Sequence, residues 1–492
     1  MNPSFSHPPF LKSCLLFATC LLVVSAGLHA APAKDKPNIV FILADDLGWA
    51  DLGCYGSTFY ETPNLDRMAK KGMRFTNAYA ASPVCSPTRA SILTGKYPAR
   101  LGITDWLPGR KDQPSQKLKR PQLPTCLALE ENTLAEALKA GGYKTAFFGK
   151  WHLGDSPAHW PEHQGFDLNL GGCEKGTPPS YFSPYKLPNL PDGPEGEYLT
   201  DRLTSEAIRF IEQHRDKPFL VYLSHYGVHT PLQAKATLLA KYTGKAAKLP
   251  AGKSPEFLDD NGPPVRQVQN NPTYAAMVEN LDENVGRILD KLAALGLDEN
   301  TIVIFTSDNG GLSTAEGSPT SNLPLRAGKG WAYEGGVRTP LLIKWPGVTK
   351  PDSVCNKPVS SPDFFPTILE MAGLTPLPYQ QLDGTSLLAE IQGVDSIERP
   401  IFWHYPHYSN QGGAPCGAVR LGDFKLIECY EDMRVELYDL RNDIAEKNNL
   451  ATEKPETAAA LTARLHGWRA DMKAQMPEPN PSYDPTNLTI SK

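Results

Sequence analysis

Asn38-Ile39-Val40-Phe41-Ile42-Leu43 is continuously apolar after its first residue and runs on into Asp45-Asp46. An apolar run of that length is what a strand buried on both faces needs. Lys144-Thr145-Ala146-Phe147-Phe148, Phe219-Leu220-Val221-Tyr222-Leu223, Thr301-Ile302-Val303-Ile304-Phe305 and Pro340-Leu341-Leu342-Ile343 repeat the pattern. Helices with legible ends lie between them. Thr62-Pro63 starts one that stops at Gly72, and Thr133-Leu134-Ala135-Glu136 is a capping box before a helix closed by Gly141-Gly142. Ser361-Pro362-Asp363 opens another that runs to Gly373, and Tyr274 to Leu295 carries apolar residues at helical spacing. Strand and helix in alternation predict an α/β fold with a large mixed, mostly parallel sheet sandwiched by helices.

The tail has a different rhythm. Ile401-Phe402-Trp403, Ala418-Val419-Arg420-Leu421, Lys425-Leu426-Ile427 and Val435-Glu436-Leu437-Tyr438 are short, closely spaced strands, two of them flanking a Gly422-Asp423 turn. They predict a smaller C-terminal antiparallel sheet, with a helix over Pro455 to Met472 packed on it. The expected boundary falls near residue 395, dividing the chain into a larger α/β domain over 37–395 and an α+β subdomain over 396–492. Segments 105–128, 155–198 and 232–272 are rich in Pro and polar residues without a strong period, as functional loops or lids are.

A chain of 492 residues can bury such a core, and a net charge of −5 without a long Lys/Arg run argues against a nucleic-acid binder. Its 40 glycines and 46 prolines, 86 of 492 residues, stay below the roughly 25–30% of low-complexity chains. The N-terminus is a separate object. Lys12 precedes the apolar run Cys14 to Val24, small residues follow at Ser25-Ala26-Gly27 and Ala30-Ala31, and Lys34-Asp35-Lys36 is polar. Residues 1–31 therefore read as a signal peptide, predicting export to a periplasm or beyond. No later segment is apolar for long enough to cross a membrane, so no stable membrane insertion is expected after cleavage. Removing Cys14 and Cys20 leaves seven of the nine cysteines, an odd set for an oxidising compartment. No Cys-x-x-Cys pair points to zinc.

The polar residues fall where the apolar runs end. The first runs into Asp45-Asp46, the second into Gly149-Lys150-Trp151-His152, the third into Ser224-His225 and then His229, and the fourth into Ser307-Asp308-Asn309. Ligands bind at the carboxyl edge of open α/β sheets, so these groups should converge. Three carboxylates and an amide oxygen form a hard-oxygen set suited to Ca²⁺ or Mg²⁺, and a divalent cation removes their mutual repulsion. In Cys85-Ser86-Pro87-Thr88-Arg89, Pro87 suits the first turn of a helix, placing Cys85 at a helix N-terminus where an anion is stabilised.

Cys85-Ser86-Pro87-Thr88-Arg89 with Leu93-Thr94-Gly95, together with Gly149-Lys150-Trp151-His152-Leu153-Gly154, resembles the type I, formylglycine-dependent sulfatases of the alkaline phosphatase superfamily. The resemblance runs from Pro37 to about Leu450 and includes His229-Thr230-Pro231, Ser307-Asp308-Asn309-Gly310-Gly311, Gly328-Lys329-Gly330 and Glu334-Gly335-Gly336-Val337-Arg338. It implies an alkaline phosphatase-like fold and conversion of Cys85 to 3-oxoalanine (formylglycine) by a formylglycine-generating or anaerobic sulfatase-maturing enzyme. That would account for the odd cysteine; of the remaining six, Cys416 and Cys429 flank the tail hairpin and are the first disulfide to test. It also implies one Ca²⁺ or Mg²⁺ on Asp45, Asp46, Asp308, Asn309 and an oxygen of the converted Cys85. Arg89 would steady the nucleophile and the carboxylates, while Lys150 and Lys329 would clamp the sulfate. By the same analogy Asp308 helps to deprotonate the attacking hydroxyl, His229, aided by Lys329, protonates the departing alcohol, and His152 removes the proton from the second hydroxyl so that the sulfate is expelled.

For the substrate, Trp403-His404-Tyr405-Pro406-His407-Tyr408 is dense in aromatic and imidazole groups, as a sugar subsite is, and His404 and His407 are candidate contacts alongside Lys150, His229 and Lys329. Asp105-Trp106 and Arg338 are further candidates. The expected activity is release of sulfate from a sulfated carbohydrate, exo-acting on galactose or N-acetylgalactosamine sulfate. The competing readings are a phosphodiesterase or phosphonate hydrolase of the same superfamily, and a non-catalytic sulfated-glycan-binding protein with Cys85 unconverted.

Overall fold

The apolar runs form the middle of one sheet. In the computed structural model, which describes residues 36–250, 255–259, 262–394 and 396–487, its strands are β1 (Asn38–Ala44), β2 (Met73–Tyr79), β3 (Lys144–Gly149), β4 (Leu168–Leu170), β5 (Phe219–Ser224), β6 (Thr301–Ser307), β7 (Arg338–Lys344), β8 (Ser353–Cys355) and β9 (Val359–Ser360). They lie in the order β8-β2-β7-β6-β1-β5-β3-β4, with β9 pairing further along β2. Only β7 runs against its neighbours, β6 and β2; all other pairings are parallel. Every residue of β1, β5 and β6 is buried, which is why these strands show no polar alternation. The expected signal peptide, 1–31, lies outside the described residues.

The helices of seven residues or more are α1 (Pro63–Lys71), α2 (Cys85–Thr94), α3 (Leu134–Ala140), α4 (Leu199–Gln213), α5 (Ala236–Ala246), α6 (Pro272–Ala294), α7 (Phe364–Met371) and α8 (Pro455–Met472). Apart from α8 they fall into two packed groups: α1, α4 and α5 gather on α6, and α2, α3 and α7 contact one another. The capping box of α3 is present in full: Thr133 Oγ1 accepts from the Glu136 N–H (3.2 Å) and Glu136 Oε2 accepts from the Thr133 N–H (2.7 Å). Besides the short strands β4, β8 and β9, three longer elements escape the sequence pattern. Strand β2 mixes buried and half-buried residues like an outer strand, α4 opens at Tyr198 without a capping side chain, and α5 lies inside a segment expected to be loop. Only Tyr242 of α5 is fully buried, so its apolar stripe is too narrow to show as a period.

The tail forms β10 (Ile401–Tyr405), β11 (Cys416–Leu421), β12 (Phe424–Cys429) and β13 (Val435–Asp439), an antiparallel sheet in that order. The period of two divides its side chains. Phe402, Val419, Leu426 and Leu437 pack on Leu461, Leu465 and Trp468 of α8. Ile401, Trp403, Ala418 and Ile427 face Tyr79 and Val337 of the main sheet region. At that seam Lys425 is fully buried, with Nζ 2.9 Å from Glu334 Oε1 and 3.0 Å from Glu446 Oε1. Cys416 and Cys429 stand opposite each other across β11 and β12, as thiols.

Candidate active site

Strands β6, β1, β5 and β3 are adjacent and parallel, so their carboxyl ends deliver Asp308-Asn309, Asp45-Asp46, the His225 to His229 segment and Lys150 to one edge. Gly149, at φ +101°, is required there: a Cβ would stand 1.9 Å from the Ser224 carbonyl oxygen, which accepts from the Lys150 N–H. Helix α2 begins at Cys85 and carries Arg89 one turn on, as the motif requires.

The charged groups interlock. Lys150 Nζ is 2.8 Å from Asp45 Oδ2, Lys329 Nζ is 2.8 Å from Asp46 Oδ2, and Arg89 donates to Asp308 Oδ2 from Nε (2.9 Å) and Nη2 (2.7 Å). Asn309 Nδ2 donates to Asp46 Oδ1, and the Asp46 N–H to Asp308 Oδ1. Asp46 and His152 hold positive φ, +60° and +58°, a conformation that side chains other than glycine adopt at a cost and that clusters at functional sites. Three carboxylates thus face three cations, all buried. Burial and the neighbouring Asp308 push Asp45 up to about 8 against the pull of Lys150. Asp46 is equally buried, yet Lys329, His229 and Lys150 hold it well below the carboxylate range.

Two oxygens remain over. Asp45 Oδ1 and Asn309 Oδ1 are buried without a hydrogen-bond partner, in a cluster that carries two further carboxylates. Orphaned hard oxygens beside acidic groups fit a calcium or magnesium ion. Asp45, Asp46 and His229 each also offer a donor within 4.8 Å of one another, so the imidazole borders the same position.

Cys85 is 3% exposed, and burial raises its thiol above its usual range, so it stays protonated and is a poor nucleophile. Its Sγ lies 3.3 Å from His152 Nδ1, while His152 Nε2 is 2.7 Å from the Leu107 carbonyl oxygen. A carbonyl only accepts, so Nε2 carries the proton and Nδ1 faces residue 85 as the free base. Burial and Lys150 keep this ring neutral. His229 has the opposite tautomeric arrangement: Nδ1 donates to the Thr230 carbonyl (2.8 Å), and Nε2 accepts from Lys329 Nζ at 3.0 Å. Burial and Lys329 lower its pKa to about 3.

A cavity of about 380 Å³ opens above this floor. Cys85, His152, His229 and Lys329 line it, with a wall of Trp106, Leu107 and Pro108 and a rim of Glu174, Glu316, Asn410 and Gln411. Gly176 lies so close to His152 that a Cβ would fall 2.4 Å from Cε1. His225, the neighbour that competes with His229 in the sequence, is buried with both ring nitrogens unpartnered and does not line the cavity.

Of the remaining substrate candidates the structure brings Trp106 to this cavity, but not Asp105, His404, His407 or Arg338. His404 is buried between the Tyr430 hydroxyl (Nδ1, 2.7 Å) and the Gln475 carbonyl (Nε2, 2.9 Å). His407 Nε2 meets Thr104 Oγ1 at 2.8 Å. Arg338 lies in β7, bound to the Thr76 carbonyl and to Glu334. All three are interior packing groups, so the sugar contacts expected of them are withdrawn. Of the tail, the loop residues Asn410 and Gln411 reach the cavity instead. Glu174 and Glu316 carried no motif, and exposed loop glutamates give no sequence signal.

Comparison with known proteins identifies the family. Residues 37–374 match the family model described as Sulfatase, and residues 327–474 match one described as N-sulphoglucosamine sulphohydrolase, C-terminal. The chain is 36% identical to N-acetylgalactosamine-6-sulfatase of Mus musculus, over 84% of this chain and 76% of the relative. It is 35% identical to arylsulfatase A of Homo sapiens, over 90% and 89%. The crystal structure of Ps i-CgsB in complex with k-i-k-neocarrahexaose superposes with a TM-score of 0.73 at 30% identity, covering 90% of this chain and 94% of that one.

Proposed function

Because the chain belongs to the type I sulfatases of the alkaline phosphatase superfamily and is a sulfuric ester hydrolase, we propose that it removes sulfate from galactose or N-acetylgalactosamine units of a sulfated carbohydrate, acting from the chain end. One observation carries the reading: Asp45, Asp46, Asp308, Asn309, Arg89, Lys150 and Lys329 converge with Cys85 and two neutral histidines around the foot of one cavity. The carbohydrate is supported by the similarity to an N-acetylgalactosamine-6-sulfatase and to a protein crystallised with a neocarrahexaose.

In this proposal a calcium or magnesium ion on Asp45, Asp46, Asp308 and Asn309 supplies Lewis-acid stabilisation of the sulfate, and formylglycine made from Cys85 supplies the oxygen nucleophile. The chain's own groups do the rest. Lys150 and Lys329 neutralise sulfate oxygens, which otherwise repel an incoming nucleophile. Arg89 fixes Asp308, and Asp308 takes part in deprotonating the attacking hydroxyl. His229 Nε2, which accepts from Lys329 Nζ, relays a proton from that ammonium to the departing sugar oxygen. His152 Nδ1 withdraws a proton from residue 85 in the second half-reaction, its orientation held by the Leu107 carbonyl. Cys85 maturation by a dedicated enzyme, export, and a catalytic segment 37–395 with an accessory segment 396–492 belong to the same proposal. Among the described residues no helix is long and apolar enough to cross a membrane.

Mass spectrometry of the peptide containing Cys85, from protein made in its native host, tests the nucleophile. Turnover of matched aryl sulfate and aryl phosphate esters tests the preference. An unmodified thiol in active protein, or faster cleavage of the phosphate ester, would overturn the mechanism.

A further inference from the structure

The cavity is charged unevenly. Its floor carries Lys329, whereas Glu174 and Glu316 stand at its rim. Glu316 is held on purpose-built support. Its backbone lies at φ +52°, a conformation glycine adopts far more readily, and Gln411 Nε2 donates to its Oε1 at 2.6 Å. Gln411 is itself 4% exposed and fixed by Ser409 Oγ and, through its carbonyl, by Trp331 Nε1 and Thr314 Oγ1. The second oxygen of Glu316 has no hydrogen-bond partner among the described residues. Glu316 shares the cavity with Lys329, the lysine in contact with His229.

We propose that Glu316 is the specificity-determining residue of this cavity. Its carboxylate accepts a hydrogen bond from a free hydroxyl or amide N–H next to the sulfate ester, and it excludes sugars that carry a second anionic group at that position. The inference rests on the proposed carbohydrate activity and refines it to singly sulfated units. A hydrogen bond to a charged acceptor is stronger than a neutral one, and its loss costs roughly tenfold in kcat/KM. A second sulfate about 4 Å from the carboxylate costs roughly fivefold in a water-like setting and more in a partly desolvated mouth.

The test compares wild type with Glu316→Gln and Glu316→Ala, loaded and matured alike, on N-acetylgalactosamine 4-sulfate, 6-sulfate and 4,6-disulfate, with 4-nitrophenyl sulfate as the reference ester. Because Glu316 is exposed, both variants should melt with the wild type. Wild type should favour the better monosulfate over the disulfate by about tenfold or more. In both variants the monosulfate-to-aryl ratio should fall by about tenfold, and the preference over the disulfate should shrink to about threefold or less. Unchanged ratios, or equal losses on all four esters with a lowered melting temperature, would overturn the proposal. Wild-type cleavage of the aryl ester with none of the three sugars is a separate outcome that would refute the N-acetylgalactosamine reading, and this proposal with it.

Discussion

Replacing Lys425 by Met removes the cation that contacts both Glu334 Oε1 and Glu446 Oε1 at the seam between the two sheets. Glu334 keeps the Tyr79 hydroxyl (2.7 Å) and Arg338 (3.2 Å), and stays ionised. Glu446, also fully buried, loses its ion pair. Breaking one partner out of a buried pair costs about 3–5 kcal/mol. With an unfolding entropy of roughly 2.1 cal/mol/K per residue, a chain of this length has about 1 kcal/mol/K, so melting should drop by about 3–5 °C. The loss depends on pH, and its sign follows from Glu446. Burial outweighs Lys425 and raises this carboxyl from 4.5 to about 7, so between those values the folded state binds the extra proton. Its contribution is favourable below the unfolded pKa and is lost as pH rises through 7. Without Lys425 the carboxyl titrates higher still, and the penalty of the variant is larger at pH 8 than at pH 6. Calorimetric scans at both pH values measure it. A variant melting within 1 °C of wild type at pH 8, or one hurt more at pH 6, would refute the account of this seam.

Cys85→Ala should leave a folded protein with no sulfatase activity, checked by melting and by aryl sulfate turnover, because only the group at the cavity floor is removed. Chelation should abolish activity and lower the melting temperature, since Asp45 Oδ1 and Asn309 Oδ1, which have no hydrogen-bond partner in the protein, lose their ligand; full activity in strong chelator would count against the metal. Gly176→Ala should lower kcat at least tenfold through displacement of His152, whose Cε1 would lie 2.4 Å from the new methyl; kinetics indistinguishable from wild type would show that this contact has slack.

The parts of the molecule legible in the sequence are those governed by burial on two sides or by a motif. Strands β1, β5 and β6 have no solvent face, so composition alone marks them, and the residues that end them identify the floor of the site. What escaped is governed by packing between distant segments. His404 and His407 sit in an aromatic stretch that reads equally as a sugar platform or as interior, and only the positions of Tyr430, Gln475 and Thr104 decide for the interior. Gln411 reads as part of an ordinary Gly-rich turn, yet the turn is pinned to Trp331 and Thr314 and forms a wall of the cavity. Glu316 depends on that pinning and had no signal of its own.

The depth of Cys85 sets a timetable. At 3% exposure, beneath a wall contributed by residues as late as Asn410 and Gln411, its thiol lies beyond the reach of another protein's catalytic residues once the fold has closed. The maturation proposed for it therefore belongs to the nascent chain, in the interval after residue 85 has emerged and before the last 80 or so residues have docked. A chain that folds ahead of its modifying partner would be lost as an enzyme while remaining sound as a protein. In an overproducing host, active fraction and soluble yield would then diverge, and slower synthesis would restore the first without altering the second.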